Sequence, residues 1–175
     1  MDALRELRSL GNHVTPMRLW RACRPVLWDG AFHEGIASAS HHPASHQARG
    51  GLVLHTWEVA KTAVDMAGQD KELAARAYVA AVFHDYGKIW EYAVLDGRVT
   101  KLPFADLIGH VVYGWSFFLS AATQFGLAED DTSEIAHALL AHHGRKEFGS
   151  PVIPQTRLAM ILHTADGMSA RGLVR

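Results

Sequence analysis

His84 and Asp85 are adjacent and close an apolar run, Tyr78-Val79-Ala80-Ala81-Val82-Phe83. Imidazole and carboxylate both bind divalent ions. Neighbouring positions on a helix point about 100° apart, so the two side chains can hold one ion between them. A helix C-terminus carries partial negative charge, which favours a cation there. Burying both groups without a partner would be costly. Alone, the pair also reads as a helix-ending Asp beside a hydrogen-bonded His. Two further residues shift the weighing. His55 sits on the apolar side of its segment with Leu52 and Val59, and Asp166 follows Leu162 at i+4 on a face that otherwise reads as core. Buried imidazoles and carboxylates from separate helices can neutralise one another around a divalent ion. Without a thiolate the set suits Mn, Fe, Ni, Co, Zn or Mg and does not choose among them.

His110 and His142-His143 extend the set, each at an end of a hydrophobic segment. If Asp85 bridges, they can hold a second ion. Two ions about 3.5–4 Å apart activate water and stabilise the attacking and leaving oxygens in phosphoester cleavage. Lys88 follows the His-Asp pair, where its ammonium can meet a phosphate oxygen or simply offset the helix C-terminus. Arg145, directly after His143-Gly144, is the second candidate for substrate contact. His163, one turn before Asp166, is placed to orient a ligand from behind or to pack as a core histidine.

These residues need helices to position them. Asp2–Leu10 predicts a short helix, and Pro16 marks the start of a second running through Leu19, Trp20 and Val26. Residues Asp29–Arg49 read as mostly irregular. A long helix covers Leu52 to Ala67, with Leu52, His55, Val59, Ala63 and Met66 on one face and Gly68 stopping it. Asp70 N-caps the next, which ends at His84-Asp85. Residues 92–102 read as a small β-hairpin turning at Asp96-Gly97. A helix follows from Ala105 or Ile108 to Phe125, with a break near Gly109. Asp131-x-x-Glu134 resembles a capping box opening the helix that carries His142-His143, and a last helix beyond Pro154 carries Asp166. The expected fold class is all-α, a helical bundle with one hairpin insertion.

The chain has 175 residues, half of them hydrophobic, which suits one domain over 1–175: N-terminal helices and a His-rich loop in 1–49, and a metal-binding core in 50–170. The net charge of −1 argues against a long electrostatic track for a nucleic-acid polymer. A short single strand entering a pocket is compatible with it. Cys23, the one cysteine, excludes an internal disulfide and a Cys-rich zinc site. No signal peptide or membrane-spanning run is apparent, and the expectation is a cytoplasmic protein.

Several strings bear a sharper likeness. The order His55, His84-Asp85, Asp166 resembles the H…HD…D pattern of the HD superfamily of metal-dependent phosphohydrolases, and His110 with His142-His143 resembles its binuclear members. Gly50-Gly51-Leu52-Val53-Leu54-His55-Thr56 is similar to a GGLxxHT segment and His84-Asp85-Tyr86-Gly87-Lys88 to an HDxGK segment. His142-His143-Gly144 with Glu147-Phe148-Gly149-Ser150-Pro151 is similar to a stretch of the HD domain of YhaM-type 3′-to-5′ exoribonucleases. The resemblance implies an HD-type helical bundle. It implies that His55, His84, Asp85 and Asp166 bind a first ion, that Asp85 bridges, that His110, His142 and His143 bind a second, and that Lys88 contacts phosphate. The resembled group also carries an N-terminal OB-fold that grips RNA; the segment before Gly50 shows no run of alternating strands.

The expected function is therefore a metal-dependent phosphohydrolase or phosphodiesterase. Metal-activated water would cleave a phosphoester in a nucleotide or short oligonucleotide, with Asp85 and Lys88 as the catalytic side chains. The rival reading is a non-catalytic nucleotide-binding or regulatory module with a structural metal. Self-association is open. His41, His42 and His46 read as loop residues without metal, while the resemblance, whose group has a His-containing lead-in, implies the alternative that one of them reaches the pocket mouth; His13, His33 and His137 read as structural or exposed.

Overall fold

A computed structural model describes residues 2–38, 42–96 and 98–174. His41 and Gly97 lie outside the described residues. The helices are α1 (Ala3–Val14), α2 (Met17–Leu27), α3 (Gly30–Glu34), α4 (Gly51–Ala67), α5 (Lys71–His84), α6 (Pro103–Leu107), α7 (His110–Phe125), α8 (Glu129–Ala141) and α9 (Arg157–Ala170). Short 3-10 turns cover Ala44–Gln47, Tyr86–Trp90 and Lys146–Phe148. A hairpin of β1 (Tyr92–Leu95) and β2 (Arg98–Lys101) pairs Tyr92 with Lys101 and Leu95 with Arg98. The all-α class with one hairpin holds. Asp96 at the turn has φ of 50°, the left-handed backbone that a two-residue hairpin connection requires.

Helix α5 is the centre of the bundle. From Leu73 to His84 only Arg76 is not buried, and α1, α2, α4, α7, α8 and α9 all pack on it. Its alanines, Ala74, Ala75, Ala77, Ala80 and Ala81, keep the helix thin enough for neighbours on every side. Such all-round burial requires a helix that is apolar all round, as this one is. Larger side chains on the surrounding helices, among them Leu52, Phe118, Ile135, Leu139, Leu158 and Leu162, fill the space between them and are fully buried. Each contributes about 1.5–3 kcal/mol by leaving water. The Tyr78 hydroxyl, which enters this core, donates to the Leu7 carbonyl at 2.9 Å.

Three local readings are corrected and one is sharpened. Among the described residues of 29–49 the irregular path is broken by α3 and the turn Ala44–Gln47: Asp29 caps α3 by accepting from the Ala31 amide, and Phe32 anchors that helix in the core. Met66 is exposed, so the buried face of α4 ends at Ala63 and Ala67. The helix expected from Ala105 or Ile108 begins earlier, at Pro103, which opens α6, and the expected break falls at Gly109, whose φ of 76° separates α6 from α7. Asp131 does not cap α8, which begins at Glu129. Its carboxylate is instead buried between Arg76 and Arg18, each at 2.8 Å, and Glu134 also takes Arg76 at 2.8 Å. These pairs clamp α2 and α5 to α8. No described helix is long and apolar enough to cross a membrane.

Candidate metal centre

His84 is the last residue of α5, and Asp85 caps it. Because α5 is central, this end meets α4, α7, α8 and α9 together. His55 comes from α4, Asp166 from α9, His110 from the first position of α7, and His142 and His143 directly follow α8.

The contacting atoms divide into two sets. In the first, His55 Nε2 stands 3.2 Å from His84 Nε2, 3.2 Å from Asp85 Oδ2 and 3.2 Å from Asp166 Oδ1. His84 Nε2 is 3.4 Å from Asp85 Oδ2 and 3.9 Å from Asp166 Oδ1. In the second, His110 Nε2 lies 3.5 Å from Asp85 Oδ1 and 3.1 Å from His143 Nε2, and His142 Nε2 lies 3.9 Å from Asp85 Oδ1. Two ligands ~2.1 Å from one ion stand roughly 3.0 Å apart at a right angle and roughly 3.4 Å at a tetrahedral angle. Most pairs of both sets, at 3.1–3.5 Å, lie close to that spacing, one pair in each at 3.9 Å is wider, and Asp85 turns one oxygen to each set.

Every one of the five imidazoles is fixed from behind. Nδ1 of His55 donates to the Ser169 hydroxyl at 2.7 Å, of His84 to the Ala81 carbonyl at 2.7 Å, and of His110 to the Glu91 carboxylate at 2.8 Å. Nδ1 of His142 donates to the Leu139 carbonyl and of His143 to the Phe148 carbonyl, both at 2.7 Å. A proton held on Nδ1 leaves the Nε2 lone pair for an ion, the usual orientation of a ligating histidine. His142 Nε2 is buried with no hydrogen-bond partner. Buried polar atoms are rarely left unmet, and an ion in the second set would meet it.

The electrostatics agree. Burial opposes charge on His55, but the Asp166 and Asp85 carboxylates outweigh it and push its pKa up to about 9. Burial, then the neighbouring His143 and His84, hold His142 well below its ordinary value, so it is a neutral donor. Burial opposes charge on Asp85, yet Lys88 and the imidazoles of His84 and His55 keep it ionised. Asp166 is only partly buried, and His55 and His84 likewise outweigh its desolvation and hold it ionised.

Lys88 is buried, not solvated, and its ammonium donates to Asp85 Oδ2 at 2.6 Å. The turn that carries it runs against α7: a Cβ on Gly87 would collide with the backbone of His110. Arg145 is exposed and opens the turn Lys146–Phe148, whose Phe148 carbonyl fixes His143. Ser150 is buried and pins this loop by donating to the Leu140 carbonyl at 3.0 Å. His163 donates to the His142 carbonyl at 2.7 Å, so its recorded bond reaches the ligand backbone of α8 rather than Asp166.

Glu91, Glu58 and Ser169 enter the site without having been singled out, and His42 and His46 come closer to it than a loop reading places them. Glu91, buried, holds His110. Glu58 and Ser169 stand behind His55. His42 and His46 come against His55, with ring centroids 5.2 and 5.1 Å away, although both read as loop residues. Helical spacing could have found two of them: Glu58 is three residues after His55, and Ser169 three after Asp166. His33 and His137 do bond structurally, to the Leu27 carbonyl and the Gln155 amide.

Comparisons with known proteins point to one family. A family model described as HD domain matches residues 52–171. The chain is 32% identical over 142 residues to the 3′-5′ exoribonuclease YhaM of Bacillus pumilus, covering 79% of this chain and 40% of that protein. It is 31% identical over 160 residues to the protein of that name from Listeria monocytogenes serotype 4b (87% and 48%), and 29% identical over 147 residues to that of Shouchella clausii (81% and 43%). The chain thus spans less than half the length of these curated relatives. No solved structure matches it at a significant level.

Proposed function

The chain belongs to the HD domain family, and from that premise we propose that it is a metal-dependent phosphohydrolase acting on a nucleotide or short oligonucleotide phosphoester. One observation carries the reading. Five imidazoles have Nδ1 bonded away, and their Nε2 atoms face two sets of ligands joined by the two oxygens of one buried carboxylate, Asp85. The names of the relatives, which are exoribonucleases, support a nucleic-acid phosphoester as the substrate class.

In this reading His55, His84, Asp85 and Asp166 hold one divalent ion, and Asp85, His110, His142 and His143 a second. Bound there, such ions lower the pKa of water and draw charge from a phosphoryl group. The protein's own part is positioning. Lys88 holds positive charge against the bridging carboxylate and meets a phosphate oxygen on its approach. Arg145, exposed beside His143, contacts the substrate at the rim. His163 steadies the backbone that presents His142. Side chains held in place in this way need no reorganisation during reaction.

The test is metal analysis joined to a substrate panel: bis-p-nitrophenyl phosphate, nucleoside mono- and triphosphates, cyclic dinucleotides and short RNA. Release stimulated by Mn or Ni from at least one of these, abolished in a folded Asp85→Ala variant, is the expected result. Tight nucleotide binding without turnover in every metal would replace the enzyme by a binding module.

A further inference from the structure

The back of His55 is built differently from the backs of the other ligands. His84, His142 and His143 donate to backbone carbonyls, and His110 donates directly to a carboxylate. His55 instead donates from Nδ1 to the Ser169 hydroxyl at 2.7 Å, and that hydroxyl donates on to Glu58 Oε2 at 2.6 Å. The same carboxylate oxygen accepts from His46 Nε2 at 3.1 Å. Ser169, His46 and His55 are all fully buried or nearly so.

The spacing that builds this chain is helical. Gly51, His55 and Glu58 follow one another at i, i+4 and i+7 along α4, and so share a face. Ser169 lies three residues after Asp166 on α9, so one face of α9 sends a carboxylate to the front of His55 and a hydroxyl to its back. Gly51 admits the fourth member: any Cβ there would collide with the backbone of His46. Only glycine lets the turn Ala44–Gln47 lie flat on α4 and put the His46 ring within reach of Glu58.

We propose that Glu58, acting through Ser169 and held by His46, is a positioning residue for the first metal ion: it fixes the orientation and tautomer of His55 and raises the basicity of its Nε2. This rests on the two-ion reading above. Serine is suited to the middle place because a hydroxyl accepts one hydrogen bond and donates another. With the acceptor end taken by His55, its proton is directed at Glu58. Hydrogen bonds from His46 and Ser169 overcome the burial of Glu58 and keep it ionised, so the far end of the chain is a carboxylate. A carboxylate behind a ligating histidine strengthens it as a ligand, and loss of such a partner commonly weakens metal affinity by about 10–100-fold. His55 has no nitrogen to spare for a third ion with His42 and His46: Nδ1 serves Ser169 and Nε2 faces the first set.

The experiment is Mn2+ titration of the full chain, resolving a first and a second affinity, for wild type, Glu58→Gln, Ser169→Ala and the double variant. Glu58→Gln keeps the shape and removes the charge, and it is expected to weaken the first affinity about 10–100-fold while leaving the second unchanged. Ser169→Ala should do the same, and the double variant should be no worse than Ser169→Ala alone, since both act along one path. An unchanged first affinity in Glu58→Gln overturns the proposal, as does an equal loss at both sites, which is the mark of a merely structural role. A wild-type chain that takes up no ion overturns this proposal and the two-ion reading together; failure of Glu58→Gln alone overturns only this one.

Discussion

Asp85→Asn tests the electrostatic design of the site without any ion present. Lys88 is 7% exposed, and its recorded ion pair is with Asp85 Oδ2, at 2.6 Å. Removing that charge leaves an ammonium in the interior with an amide oxygen for company. Breaking a buried pair from one side costs about 3–5 kcal/mol. Asp85 is itself buried beside the Asp166 carboxylate, so its neutralisation relieves some repulsion, and the lower end, ~3 kcal/mol, is the better expectation. For a chain of this size 1 kcal/mol moves Tm by about 2–4 °C, so the chelated variant should melt roughly 6–12 °C below wild type. Lys88→Met should do less harm, because Asp85 keeps His55 at 3.2 Å and His84 at 3.4 Å. The double variant Asp85→Asn/Lys88→Met should regain more than half of the loss. It should not regain all, since His55 also loses a carboxylate. Thermal melts of the four proteins in chelator read the coupling directly. A double variant as unstable as the sum of the singles would refute the claim that Lys88 depends on Asp85.

Three further outcomes follow from the same geometry. His110→Ala should lower the metal content of dialysed protein from two ions per chain to one, while His55→Ala removes the other ion, as read by elemental analysis; equal loss of both in each variant would contradict the division into two sets. Glu91→Gln, which takes the carboxylate from behind His110, should weaken the second ion about 10–100-fold and spare the first. In chelator, His55, raised to about 9 from 6.5, contributes stability that is full below pH 6.5 and is lost as pH rises through 9. His142, lowered by burial, works oppositely: the unfolded chain gains a proton below pH 6.5 that the folded chain resists, so stability falls on acidification. The chelated protein should therefore melt highest near pH 6.5, and the alkaline fall should vanish with a saturating divalent ion, which replaces the His55 proton. A Tm that climbs steadily to pH 9 in chelator would contradict the assignment.

The helices that carry the ligands are legible from apolar residues at helical spacing or, for α5, from an unbroken apolar run between a cap and a stop. Helix α5 announces itself by Asp70 at its start and His84-Asp85 at its end, and the structure places both there. The placement of ligand residues at helix ends also carried over, since helix ends are where a buried polar group can meet several neighbours. What stayed hidden depends on contacts distant in sequence. Asp131 looks like a cap because of Glu134, yet it is taken by Arg18 and Arg76, which no local pattern reveals. His46 sits in a segment rich in turn-forming residues and reads as loop. Its burial follows from the collision-free face that Gly51 provides and from Glu58 across it. Lys88 reads equally well as a phosphate contact or as a solvated helix-end cation, because the sequence does not say that it and Asp85, three residues back, are both buried.

Anomalous diffraction from crystals equilibrated with Mn2+ would locate the ions that the two oxygens of Asp85 divide between them. Two peaks about 3.5–4 Å apart are expected, one among His55, His84 and Asp166 and one among His110, His142 and His143, with Asp85 between them. A single peak that leaves His142 Nε2 unmet, or peaks lying away from Asp85, would contradict that division.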